Sequence, residues 1–267
     1  MEELEQLIQK TRQKLSTSGN SEVKTQSEYK CNKCRDTGWV LTERGTYAKC
    51  DCVELDYIKR LWDNSGIKAD QKNLKLNDYK PYDEVTKAAR AKAVEYIKSF
   101  EEIKDTRENS FGLFGQPGAG KTHIVIAIGT NLINREANPV PVVYMPYLES
   151  MRELKANTLD DEYYNKLINR YSRAKLLIID DLFKDKVKKG RLVGELSESD
   201  MKHIYPILNY RYNNRLPMLV SSECTPRMLF DLDEALAGRI IEACGDNITV
   251  FKDQKNNYRM RKFFKEG

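Results

Sequence analysis

No uninterrupted run of Leu, Ile and Val in this sequence exceeds four residues, Leu176 to Ile179, whereas a membrane-spanning helix needs roughly 18 or more apolar residues. A transmembrane helix is therefore not expected. Also missing is a basic segment followed by an apolar stretch at the start, where MEELEQLIQK opens acidic. No secretory signal is expected, and the expected location is the cytoplasm. Neither sign of charge is in large excess: 45 Lys+Arg against 40 Asp+Glu give +5, in a chain with 32% charged residues. That excludes a histone-like density and permits a polyanion partner without requiring one. Cysteine is scarce, six in all, yet four fall between positions 31 and 52. In a cytosolic chain such a cluster points to a metal rather than to disulfides. Cys224 and Cys244 read as small core residues. There is no internal repeat.

The 267 residues present amount, at about 150 per domain, to one large domain or two unequal ones. With 40% hydrophobic residues and a mean hydropathy of −0.66, the composition is that of a globular protein on the polar side. Residues 1–15 carry Leu4, Leu7, Ile8 and Leu15 at helical spacing, and 16–28 read as a polar tether. A cysteine module follows over 30–53, then a short helix over 55–62 and coil over 67–83. From Thr86 the pattern changes to an amphipathic helix and then to apolar strands alternating with helices. The strands expected are 111–114, 140–145, 175–179, 217–221 and 247–251, with helices over 124–133, 160–173, 201–213 and 233–243. Apolar strands separated by helices indicate an α/β fold, a parallel sheet covered on both faces. The expected division is 1–85, holding the helix, tether and metal module, and 86–267, holding the α/β domain.

Gly115-Gln116-Pro117-Gly118-Ala119-Gly120-Lys121-Thr122 fits the phosphate-loop pattern in full, between an expected strand and an expected helix. Glycines let backbone N–H groups close around phosphate oxygens, and the helix N-terminus favours negative charge. Lys121 reaches the terminal phosphates and the Thr122 hydroxyl can ligate Mg²⁺. The apolar strand Leu176 to Ile179 delivers Asp180 and Asp181 at its C-terminal end, where open parallel sheets bind ligands. Asp180 is the candidate for holding Mg²⁺, and Asp181 for orienting the attacking water. Cys31-x2-Cys34 and Cys50-x-Cys52 have a spacing near that of zinc ribbons, around a small hairpin expected at 38–48. The module has too little apolar material to fold without its metal.

The phosphate loop, the strand ending in Asp180-Asp181, Arg211 to Pro217 leading into Ser221-Ser222-Glu223, and Ala237-Gly238-Arg239-Ile240 resemble the AAA+ ATPases of the DnaC/DnaI helicase-loader group. The likeness extends to the transposition helper IstB, the alternative reading. The cysteine module, with Arg35-Asp36-Thr37-Gly38-Trp39-Val40 after Cys34, is similar to the zinc module of Gram-positive and phage loaders. The resemblance spans residues 30–262. It implies a five-stranded AAA+ P-loop NTPase sheet and hydrolysis of ATP, with Mg²⁺, between self-associated subunits. It also implies single-stranded DNA binding, a structural Zn²⁺, and delivery of a hexameric DnaB-type helicase in DNA replication.

Carried over by motif, Arg239 is an arginine finger for a neighbour's nucleotide, Ser222 and Glu223 sit at the sensor-1 position, and Arg259 in Asn-Tyr-Arg matches the sensor-2 arginine. A carboxylate at Glu223 would repel the γ-phosphate unless it faces a cation or a water. Asp181 together with Arg239 favours water over the acceptor of a small-molecule kinase. For DNA, Lys184 to Arg191, with five basic residues and one acid, or Lys252 to Lys265, with six and one, could neutralise phosphates. Tyr163, Tyr164 and Tyr171 are candidates for base stacking.

Overall fold

In the computed structural model, residues 29–252, 257 and 258 are described here. The helix expected over 1–15, the tether after it and Arg259 lie outside the described residues. The chain divides into two compact units, Met1–Leu55 and Asp56–Gly267.

The first unit contains an antiparallel pair, β1 (Trp39–Leu41) and β2 (Tyr47–Lys49), with Leu41 opposite Tyr47. Gly45, at φ +75°, makes the turn. Helix α1 (Asp51–Ser65) starts at the last cysteine pair and carries the chain into the second unit.

The second unit contains α2 (Glu84–Ile103), β3 (Phe111–Gly115), α3 (Lys121–Ile133), β4 (Val142–Pro146), α4 (Tyr147–Ala156), α5 (Asp161–Arg173) and β5 (Leu176–Asp180). After a short 3₁₀ turn come a two-residue ribbon, β6 (Val187–Lys188) and β7 (Arg191–Leu192), then α6 (Glu198–Asn213), β8 (Met218–Ser222), α7 (Pro226–Leu232), α8 (Glu234–Cys244) and β9 (Ile248–Phe251). The five long strands form one all-parallel sheet in the order β4-β5-β8-β3-β9. This is the five-stranded parallel sheet expected.

Successive strand residues face opposite sides. Leu113 and Ile178 therefore join one core with Ala93 and Tyr96 of α2 and Ile124 and Ile128 of α3. Phe114 and Ile179 join a second core with Leu154 of α4, Leu167 of α5, Ile207 of α6 and Ile240 of α8. A strand buried on both faces has no polar side, which is why β5 reads LLII without interruption.

Helix starts follow local chemistry. Asp83 accepts from the Thr86 amide (2.7 Å) while the Thr86 hydroxyl accepts from the Asp83 amide (3.0 Å), a reciprocal cap for α2. Ser197 and Asp200 do the same for α6. The unit boundary falls at 55/56 rather than at 85/86, because Leu61, Ile67, Leu76 and Tyr79 pack into the first core. Helix α4 was not expected, although Tyr147, Ser150, Met151 and Leu154 bury one face at helical spacing. The Thr225-Pro226 start of α7 was equally legible: Thr225 caps the Met228 amide and proline opens the helix.

Candidate functional site

Strand β3, between β8 and β9, ends in Gly115 at φ +98°, where a Cβ would lie 2.2 Å from the Phe251 carbonyl oxygen of β9. Only glycine fits the turn out of the sheet. Gly120, at φ +79°, is the N-cap of α3, and a Cβ there would meet the Tyr79 ring at 2.6 Å. The Tyr79 hydroxyl donates to the Ala119 carbonyl (2.9 Å), so the segment before α2 braces the loop from outside. Gly120 offers no side-chain cap, which leaves the first amides of α3 to an anion.

Lys121 is 5% exposed, and its ammonium donates to the Gly115 and Gln116 carbonyls, each at 2.8 Å. Gly115 and Gln116 hold Lys121 through these carbonyls and do not themselves line the cleft. Residues Pro117, Gly118, Ala119, Gly120, Lys121 and Thr122 line a cleft of about 530 Å³. The Thr122 hydroxyl donates to Asp180 Oδ1 (2.9 Å), which also takes the Ser221 hydroxyl (2.5 Å), and Tyr144 donates to Oδ2 (2.9 Å). Burial pushes the Asp180 carboxyl up from its ordinary value, and the Ser221, Thr122 and Tyr144 hydroxyls oppose that rise. The juxtaposed Thr122 hydroxyl and Asp180 carboxylate are the oxygen donors a hard divalent cation takes.

Asp181 faces the cleft at φ +57°, its amide donating to Ser221 Oγ (2.9 Å). Glu223 also faces the cleft, and there it meets Lys184 in an ion pair. The cation that a carboxylate at this position requires is thus present.

Ser222 is not in the cleft. It is fully buried, donating to the Leu182 carbonyl (2.6 Å) and accepting from the Cys224 amide (3.0 Å). Strand alternation turns its neighbour Ser221 to Asp180 instead. Arg239 is away from this cleft as well. It lies half-buried on α8, bonded to the Ala235 carbonyl (2.9 Å), with its guanidinium 5.5 Å from the Tyr205 ring centre. Sequence reasoning missed the far wall, Asp78, Tyr79, Lys80 and Tyr82, together with Tyr258. The rings of Tyr82 and Tyr258 stand 5.9 Å apart, and the Tyr258 amide donates to the Gly118 carbonyl (3.0 Å).

Residues 82–244, more than half of the chain, match the bacterial DnaA ATPase domain family. The chain belongs to the DnaA-type ATPase family. Among relatives, it is 40% identical to YqaM of Bacillus subtilis strain 168 over 79% of this chain and 66% of YqaM, just under two thirds of that protein. It is 36% identical to the phage-like element PBSX protein XkdC of the same strain, over 85% of this chain and 84% of XkdC. It is 26% identical to the replicative helicase loader DnaC of Escherichia coli K12, over 60% and 69%. The crystal structure of DnaI superposes with a TM-score of 0.54 at 23% identity, covering 70% of this chain and 95% of that one. That likeness shows a shared fold.

Outside its DnaA-type domain, the chain gathers Cys31, Cys34, Cys50 and Cys52 so that their sulfurs all lie within 4.8 Å of one another. Cys31 and Cys50 sulfurs are 3.8 Å apart, and those of Cys34 and Cys52 3.4 Å. A tetrahedron of thiolates at about 2.3 Å from a zinc ion has edges of about 3.8 Å, so the four sulfurs fit such a metal. The first knuckle is held by the Arg35 amide donating to the Cys31 carbonyl (2.8 Å), and Asp36 accepts the Cys31 amide (2.8 Å). Hydrogen bonds from Cys34, its amide first, bring the Cys31 thiol down to about 7, whereas bonding to Cys34 and burial raise that of Cys52.

The basic run after Asp181 is partly spent. Lys184 pairs with Glu223, and Lys186 with Asp185 and Asp200, leaving Lys188, Lys189 and Arg191 exposed on the ribbon. Of the three tyrosines, Tyr171 is buried against Ser150 (3.1 Å) and Tyr164 meets His203 Nδ1 (2.9 Å). Tyr163 is exposed and Tyr164 half-buried. No helix among the described residues is long and apolar enough to cross a membrane.

Proposed function

We propose that this chain is an ATP-dependent loader of a DnaB-type replicative helicase onto single-stranded DNA, acting in the cytoplasm as a self-assembled ATPase. The observation that carries the ATPase reading is the joining of the braced phosphate loop to Asp180 through Thr122. In this reading Lys121 leaves the loop carbonyls for the terminal phosphates, and Thr122 and Asp180 hold Mg²⁺. Asp181 orients the water that attacks the γ-phosphate, with Arg239 serving a neighbouring copy. Bound there, Mg²⁺ would neutralise charge building on the phosphate oxygens. Support for the loader reading comes from the likeness to the replicative helicase loader DnaC.

The cysteine module is the proposed partner-binding part, within residues 1–85. Trp39, Leu41 and Tyr47 supply exposed apolar surface on its hairpin, on positions that share one face. The proposed DNA contact is the ribbon with Lys188, Lys189 and Arg191.

The test is helicase loading by the full chain. Wild type is expected to capture a DnaB-type ring helicase from host extract and place it on single-stranded DNA only with ATP. Lys121→Ala is expected to capture it without loading and to lose ATPase activity. Near-normal turnover by Lys121→Ala would overturn the site assignment. Capture of a transposase in place of a helicase would favour the IstB-like alternative.

The metal is proposed to be one Zn²⁺ per chain, with a structural role because four protein ligands complete a tetrahedron. Cys34→Ser is expected to lose zinc by elemental analysis and to become protease-sensitive within residues 30–53, while still binding ATP. Zinc content unchanged by the substitution would refute the site.

A further inference from the structure

Between Asp180 and the ribbon the chain makes a tight turn in which two non-glycine residues, Asp181 and Phe183, both stand at φ +57°. Such a conformation is costly for a residue as bulky as Phe183 and persists only where the surroundings enforce it. Here they do. Leu182 and Phe183 are buried, the Phe183 ring packs edge-on against Tyr147, and the Leu182 amide donates to the Ser221 carbonyl (2.9 Å) of β8. The Lys184 amide closes the turn on the Asp181 carbonyl (3.0 Å). With its apolar residues driven into the core, the turn presents the side chains of Asp181 and Lys184 to the same cleft as the phosphate loop.

Glu223, at the end of the adjacent strand, is the second acid on this wall. Its side chain is only 12% exposed, and its ion-pair partner is Lys184. A nearly buried carboxylate beside a polyphosphate site is unfavourable for binding unless a cation offsets it. An ammonium has three donors, so one lysine can hold a carboxylate and a phosphate oxygen together. The turn that carries Lys184 is tied to β8 through the Leu182 amide, and the Lys184 side chain, one-third exposed, lines the cleft. Lys121 lies on the phosphate loop and Lys184 on the turn after β5, and both line the cleft.

We propose that Lys184 is a second phosphate-binding cation of this cleft, held there by Glu223, and that it favours the nucleoside triphosphate over the diphosphate. The inference rests on the nucleotide-binding reading above. The inner phosphates lie in the loop, so the wall bearing Asp181 and Lys184 faces the end of the chain, which a diphosphate lacks. Without Lys184, Glu223 opposes the added charge of the triphosphate.

Equilibrium titration of the full chain with a non-hydrolysable ATP analogue and with ADP, both with Mg²⁺, tests this. Lys184→Met is expected to weaken the triphosphate analogue about 10- to 100-fold, the range for losing a charge-assisted hydrogen bond, while ADP changes by less than about threefold. Lys184→Arg is expected to keep most of the preference. Lys184→Met with Glu223→Gln is expected to recover much of the loss, because the uncompensated acid is gone. Equal weakening of both nucleotides by Lys184→Met, or no change in either, overturns the proposal. So does a double variant no better than Lys184→Met alone. Failure of wild type itself to bind either nucleotide would instead overturn the nucleotide-binding reading.

Discussion

An Arg239→Ala chain is expected to bind ATP almost normally and to hydrolyse it about 10³-fold more slowly, the loss that follows removal of an arginine finger. Arg239 stands outside the cleft of its own chain, on α8, where its guanidinium is bonded to the Ala235 carbonyl and lies against Tyr205 and Tyr212. In the proposed mechanism it acts from there on another copy's γ-phosphate. Lys121→Ala keeps the finger and loses the nucleotide site. Mixing the two inactive variants is therefore expected to restore part of the turnover, since an Arg239→Ala subunit can receive the finger of a Lys121→Ala neighbour. Specific activity of wild type is expected to rise with concentration, measured with single-stranded DNA present. Arg239→Lys is expected to be nearly as slow as Arg239→Ala, because an ammonium lacks the planar fork of a guanidinium. Activity independent of concentration, with no recovery in any mixture, would show that hydrolysis is not shared between copies.

The parts of the site that could be read from sequence are those whose chemistry is contiguous. Gly115 to Thr122 is one unbroken segment, and Asp180 follows directly on its strand. What could not be read depends on which way a side chain faces after the sheet has formed. Ser221 and Ser222 are adjacent and chemically identical, and the motif gives no reason to prefer either. Pairing of Leu113 with Ser221 and alternation along β8 turn Ser221 to Asp180 and bury Ser222 under Leu182. The far wall escaped for a different reason. Residues 67–83 bury Ile67, Leu76 and Tyr79 singly among polar neighbours, with neither the helical nor the strand period, so nothing local announces that they brace the loop. The same irregularity hid the unit boundary. The need for a cation near Glu223 was readable from charge alone, but its identity was not, because Lys184 reaches Glu223 only through the turn at Asp181 and Phe183.

Arg211→Met is expected to be the most destabilising single change outside the cleft. Arg211 lies on α6 with its side chain fully buried, and burial pushes its pKa down to about 9, still above neutral pH. It is charged in the core, and its partners among the described residues are carbonyls rather than carboxylates. What holds it is four carbonyl oxygens: Tyr171 (2.9 Å), Ser172 (3.2 Å) and Ala174 (2.8 Å) around the end of α5, and Pro217 (2.6 Å) before β8. The last carbonyls of a helix have no partner within it, and a cation there also meets the negative end of the helix dipole. Met fills a similar volume but donates nothing, so several buried acceptors lose their bonds together. At about 1–3 kcal/mol for each buried group left unsatisfied, partial relaxation still leaves a loss of about 3–5 kcal/mol. For a unit of this size that is a fall in Tm of about 10 °C, read by far-UV circular dichroism. Arg211→Lys is expected to fall between, since one ammonium cannot span the carbonyls on both sides. The consequence extends to the nucleotide. Ala174 and Pro217 stand just before β5 and β8, the paired strands whose far ends bring Asp180 and Ser221 together. A variant that folds below its lowered Tm is expected to bind ATP more weakly even though position 211 is remote from the cleft. Melting of Arg211→Met within about 2 °C of wild type would show that those carbonyls find other donors and that the charge is dispensable.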